Sequence, residues 1–111
     1  MDKLQAKNIL IEFNRFYGLE NAREKCLEEI EELKEVINGW DNLRYNEFLT
    51  RLAEESAHVI VTVNKLINAY GISGETDKEV METLQHLQNL LDNPIKEQKV
   101  WKERKRNKGL R

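Results

Sequence analysis

Leu27-Glu28-Glu29-Ile30-Glu31-Glu32-Leu33 and Ala53-Glu54-Glu55-Ser56-Ala57-His58-Val59 form a pair that decides the fold. In each stretch, acidic or imidazole side chains recur at i, i+3 among apolar residues. Positions three apart on an α-helix lie on neighbouring turns and point the same way. Read as helices, the first stretch lets Glu29 and Glu32 converge, and the second does the same for Glu55 and His58. If the two helices pack antiparallel, these potential ligands meet in one small volume. Clustered carboxylates repel one another unless a cation or protons offset the charge. Oxygen-rich ligands of this kind suit Mg²⁺, with Mn²⁺ as a relative that accepts the same donors.

The phase of both helices supports the pairing. At about 100° per residue, the apolar stripe of the first is expected to run through Cys26, Ile30, Leu33 and Ile37. Glu29 and Glu32 then lie on one flank, beside Val36. The stripe of the second is expected to run through Leu49, Leu52, Ser56, Ile60, Val63 and Ile67, with Glu55 and His58 on the matching flank. A Glu-Glu-x-x-Glu run by itself is common on a solvated helix face. The second cluster, at matching phase in a strongly apolar helix, is what singles the pair out. Charge inside such a helix needs a partner or a metal.

Outward from the pair, the chain reads as helix almost throughout. A first helix is expected from about Lys3 to Tyr17, with Gly18 as its left-handed stop. Phe13, Phe16 and Tyr17 read as core, with stacking on a base as the alternative. The first acidic helix is expected from about Ala22 to Asn38, with Asn21 and Glu24 as a capping box and Gly39 as its end. Trp40 either plugs the end of the bundle or meets a ligand or a neighbouring subunit. The next helix is expected from about Tyr45 to Tyr70, stopped by Gly71. Its run Val59-Ile60-Val61-Thr62-Val63 favours a strand in isolation. The apolar positions nevertheless continue at i, i+3 and i+4 along the whole stretch, which predicts a central, largely buried helix.

Another helix is expected from about Asp77 to Asp92, with Thr76 and Glu79 as a capping box. His86 falls off its stripe of Val80, Leu84, Leu87 and Leu91 and reads as a surface residue. Pro94 suits the first turn of a last helical segment. From about 96 to 111 the chain is basic, with Lys96, Lys99, Lys102, Arg104, Lys105, Arg106, Lys108 and Arg111. This segment is either a solvated tail or a source of cations that fold over the acidic site and meet a polyphosphate.

Composition agrees with helix. Charged residues make up 34% and aromatic residues 7%, with five Gly and one Pro, which disfavours both a sheet protein and a disordered tail. The expected architecture is all-α: one domain over residues 1–111, a four- to five-helix bundle with antiparallel packing, completed by oligomerisation. A net charge of -2 gives no reason to expect nucleic acid or a membrane as partner. The single cysteine, Cys26, falls on an apolar stripe as a free thiol compatible with a reducing cytosol. The N-terminal residues show no apolar leader, and no apolar run is long enough to span a bilayer.

Glu28-Glu29-Ile30-Glu31-Glu32 followed by Glu55-Ser56-Ala57-His58 resembles the Glu-Glu-x-x-Glu and Glu-x-x-Asp motifs of the MazG-like all-α nucleoside triphosphate pyrophosphohydrolases. Phe13-Asn14-Arg15-Phe16-Tyr17-Gly18-Leu19 is similar to the aromatic helix end before the first motif. Val59 to Ile72 is similar to the apolar continuation after the second. The resemblance spans about residues 10 to 72. It implies cleavage of an NTP or dNTP between the α- and β-phosphates, releasing a monophosphate and pyrophosphate, in a homodimer or tetramer. It also implies that Glu29, Glu32, Glu55 and position 58 hold Mg²⁺, with Glu28 adjacent in a second layer or turned to solvent. Glu29 or Glu32 is then the general base. Lys102, Arg104 and Arg106 are the candidate phosphate contacts.

The departure from the family pattern is His58, where an aspartate is expected. His58 either ligates the metal, with Mn²⁺ favoured, or contacts a phosphate while three glutamates hold the ion, or marks a bundle that has lost the chemistry. The rival reading is therefore a non-catalytic helical dimerisation or adaptor module. A nucleic-acid-associated bundle with a basic tail is a weaker third.

Overall fold

The computed structural model describes residues 1–107. Lys108 and Arg111 of the basic segment lie outside the described residues. Four helices and no strand occur among the described residues: α1 (Lys3–Asn38), α2 (Tyr45–Tyr70), α3 (Ser73–Asp92) and α4 (Pro94–Asn107). The protein is all-α. The described residues group into two compact units, the first Met1–Ile72 and the second beginning at Ser73.

In the first unit, α1 opens on a capping box. Asp2 accepts from the Gln5 backbone N–H at 2.7 Å, and the Gln5 side chain accepts from the Asp2 N–H at 2.9 Å. The helical run then breaks at one residue, Gly18, with φ 85° and ψ 171°. That backbone region is essentially restricted to glycine. The stop expected at Gly18 is present, but the chain re-enters helix directly after it. Asn21 is thus inside the helix rather than at its N-cap, because one glycine makes the turn that a short loop was expected to make.

Helix α2 matches its expected bounds, and the β-branched run 59–63 is helical. It ends in a Schellman motif: the Gly71 N–H donates to the Asn68 carbonyl and the Ile72 N–H to the Ile67 carbonyl, with Gly71 at φ 66°. Arg23 reaches Tyr70, and Glu29, further along α1, reaches His58, earlier in α2. The post-Gly18 part of α1 and α2 are therefore antiparallel.

The packed face differs from the expected stripes. In α1 the buried or half-buried line is Ala22, Cys26, Glu29, Leu33 and Val36. In α2 it is Phe48, Leu52, Glu55, Val59, Thr62 and Leu66. Alternating steps of four and three are the signature of a coiled-coil-like seam. Ile30, Ile37, Leu49 and Ile60, placed on the expected stripes, are exposed. Glu29 and Glu55 consequently lie in the seam itself instead of on its flank. α2 is also less covered than expected, since Ile60 and Val61 are both more than half exposed.

In the second unit, α3 begins at Ser73, so Thr76 lies within the helix and does not cap it. Asn93 caps α4 by accepting from the Lys96 N–H at 3.2 Å, and Pro94 takes the first helical position as expected. Neither helix contains a buried residue. Their contact includes polar and aromatic pairs. His86 lies 2.9 Å from Glu97 and stacks on Trp101 at 4.0 Å between ring centroids. Arg104 contacts Glu79 and Glu82 and lies over the Trp101 ring. His86, expected at the surface, is thus an inner residue of the hairpin, with its side chain 12% exposed. Periodicity among aliphatic positions could not reveal it, because its partners are a carboxylate and an indole.

Candidate metal centre

The post-Gly18 part of α1 presents Glu29 and Glu32 on successive turns, and α2 presents Glu55 and His58 in the same way. One ligand atom from each of these residues lies within 4.8 Å of the other three. The four side chains singled out by the paired motifs therefore meet. The His58 Nδ1 is 3.3 Å from Glu29 Oε2 and 3.6 Å from Glu55 Oε2.

The cluster has a floor and a rim. Glu29 and Glu55 form the floor, with side chains 22% and 18% exposed, while His58 at the rim is 57% exposed. Glu32 is also exposed. The oxygens Glu29 Oε2 and Glu55 Oε2 are buried and accept no hydrogen bond. A buried acceptor without a donor costs about 1–3 kcal/mol, and more when charged. Two such atoms from different helices face the same imidazole, so the floor is short of positive charge.

The spacing suits one hard cation. Mg–O bonds of about 2.1 Å place opposite ligands about 4.2 Å and adjacent ones about 3.0 Å apart. Separations of at most 4.8 Å are close to the first distance, and glutamate rotamers would draw the adjacent ligands in. The donor set is oxygen-rich, with one imidazole that can ligate when neutral.

Glu28 turns to solvent and pairs with Lys25 at 3.1 Å. The hydrogen bond and charge of Glu28 raise the Lys25 ammonium above its ordinary pKa. Lys102, Arg104 and Arg106 lie on α4 in the second unit. The Arg104 guanidinium is already engaged by Glu79 and Glu82, while Lys102 and Arg106 are exposed. Trp40 is not a plug: it is 65% exposed and lines a cleft of about 450 Å³ with Tyr45, Phe48 and Leu49.

Lys65 is not marked out by the apolar pattern of α2. It lies seven residues beyond His58, on the same face of α2, and is buried. Its ammonium is 4.3 Å from the Phe13 ring centroid, and its carbonyl accepts from Asn14 Nδ2 at 2.8 Å. The available signal was a lone basic residue in the apolar half of α2. No helix among the described residues is long and apolar enough to cross a membrane. Comparison with family models, curated proteins and solved structures yields no match.

Proposed function

We propose that this chain is a divalent-metal-dependent nucleoside triphosphate pyrophosphohydrolase of the MazG-like type. One observation carries the reading. Glu29, Glu32, Glu55 and His58, from two motifs that resemble that superfamily, converge within 4.8 Å around two buried carboxylate oxygens that lack donors. Mg²⁺, with Mn²⁺ as the alternative, is the cation this donor set suits.

Each side chain has a defined part in the proposed reaction. Glu29 and Glu55 anchor from the seam, and their burial holds them in place. Glu32 and His58 close the site from its solvent side. A bound divalent ion supplies charge neutralisation for the phosphate oxygens and a lowered pKa for a water molecule. Glu29 or Glu32 accepts the proton of the attacking water. The water oxygen bonds to the α-phosphorus as the bond between that phosphorus and the oxygen bridging to the β-phosphate breaks, leaving a monophosphate and pyrophosphate. Positioning and electrostatics provide most of the rate enhancement in phosphoryl transfer.

Self-association belongs to the same proposal. Ile30 and Ile37 of α1, with Leu49 and Ile60 of α2, form apolar lines outside the seam. A second copy would cover them. Cys26 as a buried free thiol is consistent with a reducing, cytosolic setting.

The second reading, a degenerate module of the same fold, is favoured by His58 at the aspartate position and by its exposure. Pyrophosphate release from a panel of NTPs and dNTPs, with Mg²⁺ and with Mn²⁺, separates the two. Turnover that Glu55→Gln abolishes is the expected result. No release from any nucleotide with either metal would overturn the enzymatic reading in favour of the module.

A further inference from the structure

Lys65 is 8% exposed. Among the described residues no carboxylate forms an ion pair with it. Its polar contact is with the Phe13 ring, at 4.3 Å. A cation–π contact leaves the ammonium without a counter-charge. An unmet acceptor lies beside it. Asn14 donates through Nδ2 to the Lys65 carbonyl at 2.8 Å, which fixes the amide so that Oδ1 remains an acceptor. That Oδ1 is buried and has no hydrogen-bond partner.

The place of this pair on the fold gives it a chemical meaning. Glu55, His58, Thr62 and Lys65 follow one line along α2, in steps of three and four. Thr62 is internally satisfied, its hydroxyl donating to the His58 and Val59 carbonyls. Lys65 is the next charged side chain on that line beyond the acidic cluster. From His58 to Lys65 the helix rises roughly 10 Å. Helical side chains lean towards the N-terminus, so the lysine stem shortens that gap. The cluster holds an excess of negative charge, and Lys65 places a positive charge on the same line.

We infer that Lys65 and Asn14 form an anion subsite for the terminal phosphate of a triphosphate held at the Glu29–Glu32–Glu55–His58 cluster; this rests on the pyrophosphohydrolase reading. Phosphate oxygens accept from the ammonium. A water that hydrates the phosphate donates one hydrogen to a phosphate oxygen and the other to Asn14 Oδ1. Gly18 makes the site possible, because the bend there returns Phe13 and Asn14 to α2.

Calorimetric titration of the full chain with inorganic tripolyphosphate, at saturating Mg²⁺, tests this without depending on turnover. Native protein is expected to bind, Lys65→Met to bind about tenfold more weakly or worse, and Lys65→Arg to stay within about threefold. Asn14→Asp places a carboxylate beside the ammonium and is expected to weaken binding as well. It decides the matter if Lys65→Met loses helicity by circular dichroism. Native affinity in Lys65→Met or Asn14→Asp, or no binding by the native chain, overturns the subsite. Titration with Mg²⁺ alone keeps the two proposals apart. Loss of Mg²⁺ binding in Glu55→Gln, together with unchanged tripolyphosphate binding in Lys65→Met, removes the subsite and leaves the metal centre standing. Unchanged Mg²⁺ binding in Glu55→Gln removes the metal centre.

Discussion

Glu29 and Glu55 are the residues on which stability and the proposed function oppose each other. Each contributes a buried oxygen with no hydrogen bond, within reach of the same imidazole. Replacing either by glutamine keeps the shape, removes a charge and adds a donor for the remaining carboxylate. In metal-free buffer Glu55→Gln is therefore expected to stabilise the protein by about 1 kcal/mol, which is roughly 4–8 °C in Tm for a domain of this size. Saturating Mg²⁺ should raise the Tm of the native chain and leave that of Glu55→Gln nearly unchanged. A variant less stable than native without metal would show that the carboxylates are satisfied in solution. At the rim, His58→Asp introduces the carboxylate that the MazG-like motif carries, at a position where exposure tolerates either side chain. Mg²⁺-dependent pyrophosphate release is expected to rise in His58→Asp and to fall in His58→Ala. Equal rates in native and His58→Ala would mean that the imidazole has no part in the site.

At the scale of elements, the bend at Gly18 is the decisive feature of the first unit. A Cβ at Gly18 would meet no atom within 4 Å, so space is not the constraint. The constraint is φ 85° with ψ 171°, which an L-residue adopts only under strain. Gly18→Ala is expected to cost about 1–3 kcal/mol in urea unfolding. It should also release the Asn14–Lys65 contact, seen as loss of hydrogen-exchange protection in residues 3–17, while residues 22–38 stay protected. Uniform protection as in the native chain would show that the bend survives the substitution. The second unit is held differently. With no buried residue in α3 or α4, its contact includes the polar and aromatic pairs of His86, Glu97, Trp101 and Arg104. A polar and aromatic contact of that kind is weaker per residue than the apolar seam between α1 and α2.

For the molecule as a whole, the question is what covers the apolar residues outside the seam. Ile60 is 61% exposed and Ile37 50% exposed, on neighbouring helices of one hairpin. Ile60→Lys leaves the α1–α2 seam intact, because Ile60 is not part of it. In sedimentation the native chain is expected to run as a dimer or larger, and Ile60→Lys as a monomer of unchanged helicity. A native monomer of 13.2 kDa at micromolar concentration would show that the hairpin is stable with these residues in water.

The sequence by itself determined the local facts. Helix along almost the whole chain, the glycine stops at Gly18 and Gly71, the bounds of α2 and the start of α4 at Pro94 follow from backbone preference and short-range hydrogen bonds. The i, i+3 pairs Glu29–Glu32 and Glu55–His58 were legible for the same reason, since neighbouring turns are fixed by helix geometry alone. Their meeting required two helices to pack, and the matching phase pointed to it. Only the tertiary structure decided which line of each helix became the seam. Both helices carry apolar residues over a wide arc, and a rotation of less than the roughly 100° between consecutive residues exchanges Ile30 for Glu29 and Ile60 for Val59. That choice depends on ridges of one helix fitting grooves of the other, a non-local condition that no single stripe contains. The same holds for Lys65 and His86, whose burial comes from Phe13 and Asn14 in one unit and from Glu97 and Trp101 in the other. Polar side chains are buried by their partners, and a pattern of apolar residues does not reveal where those partners are.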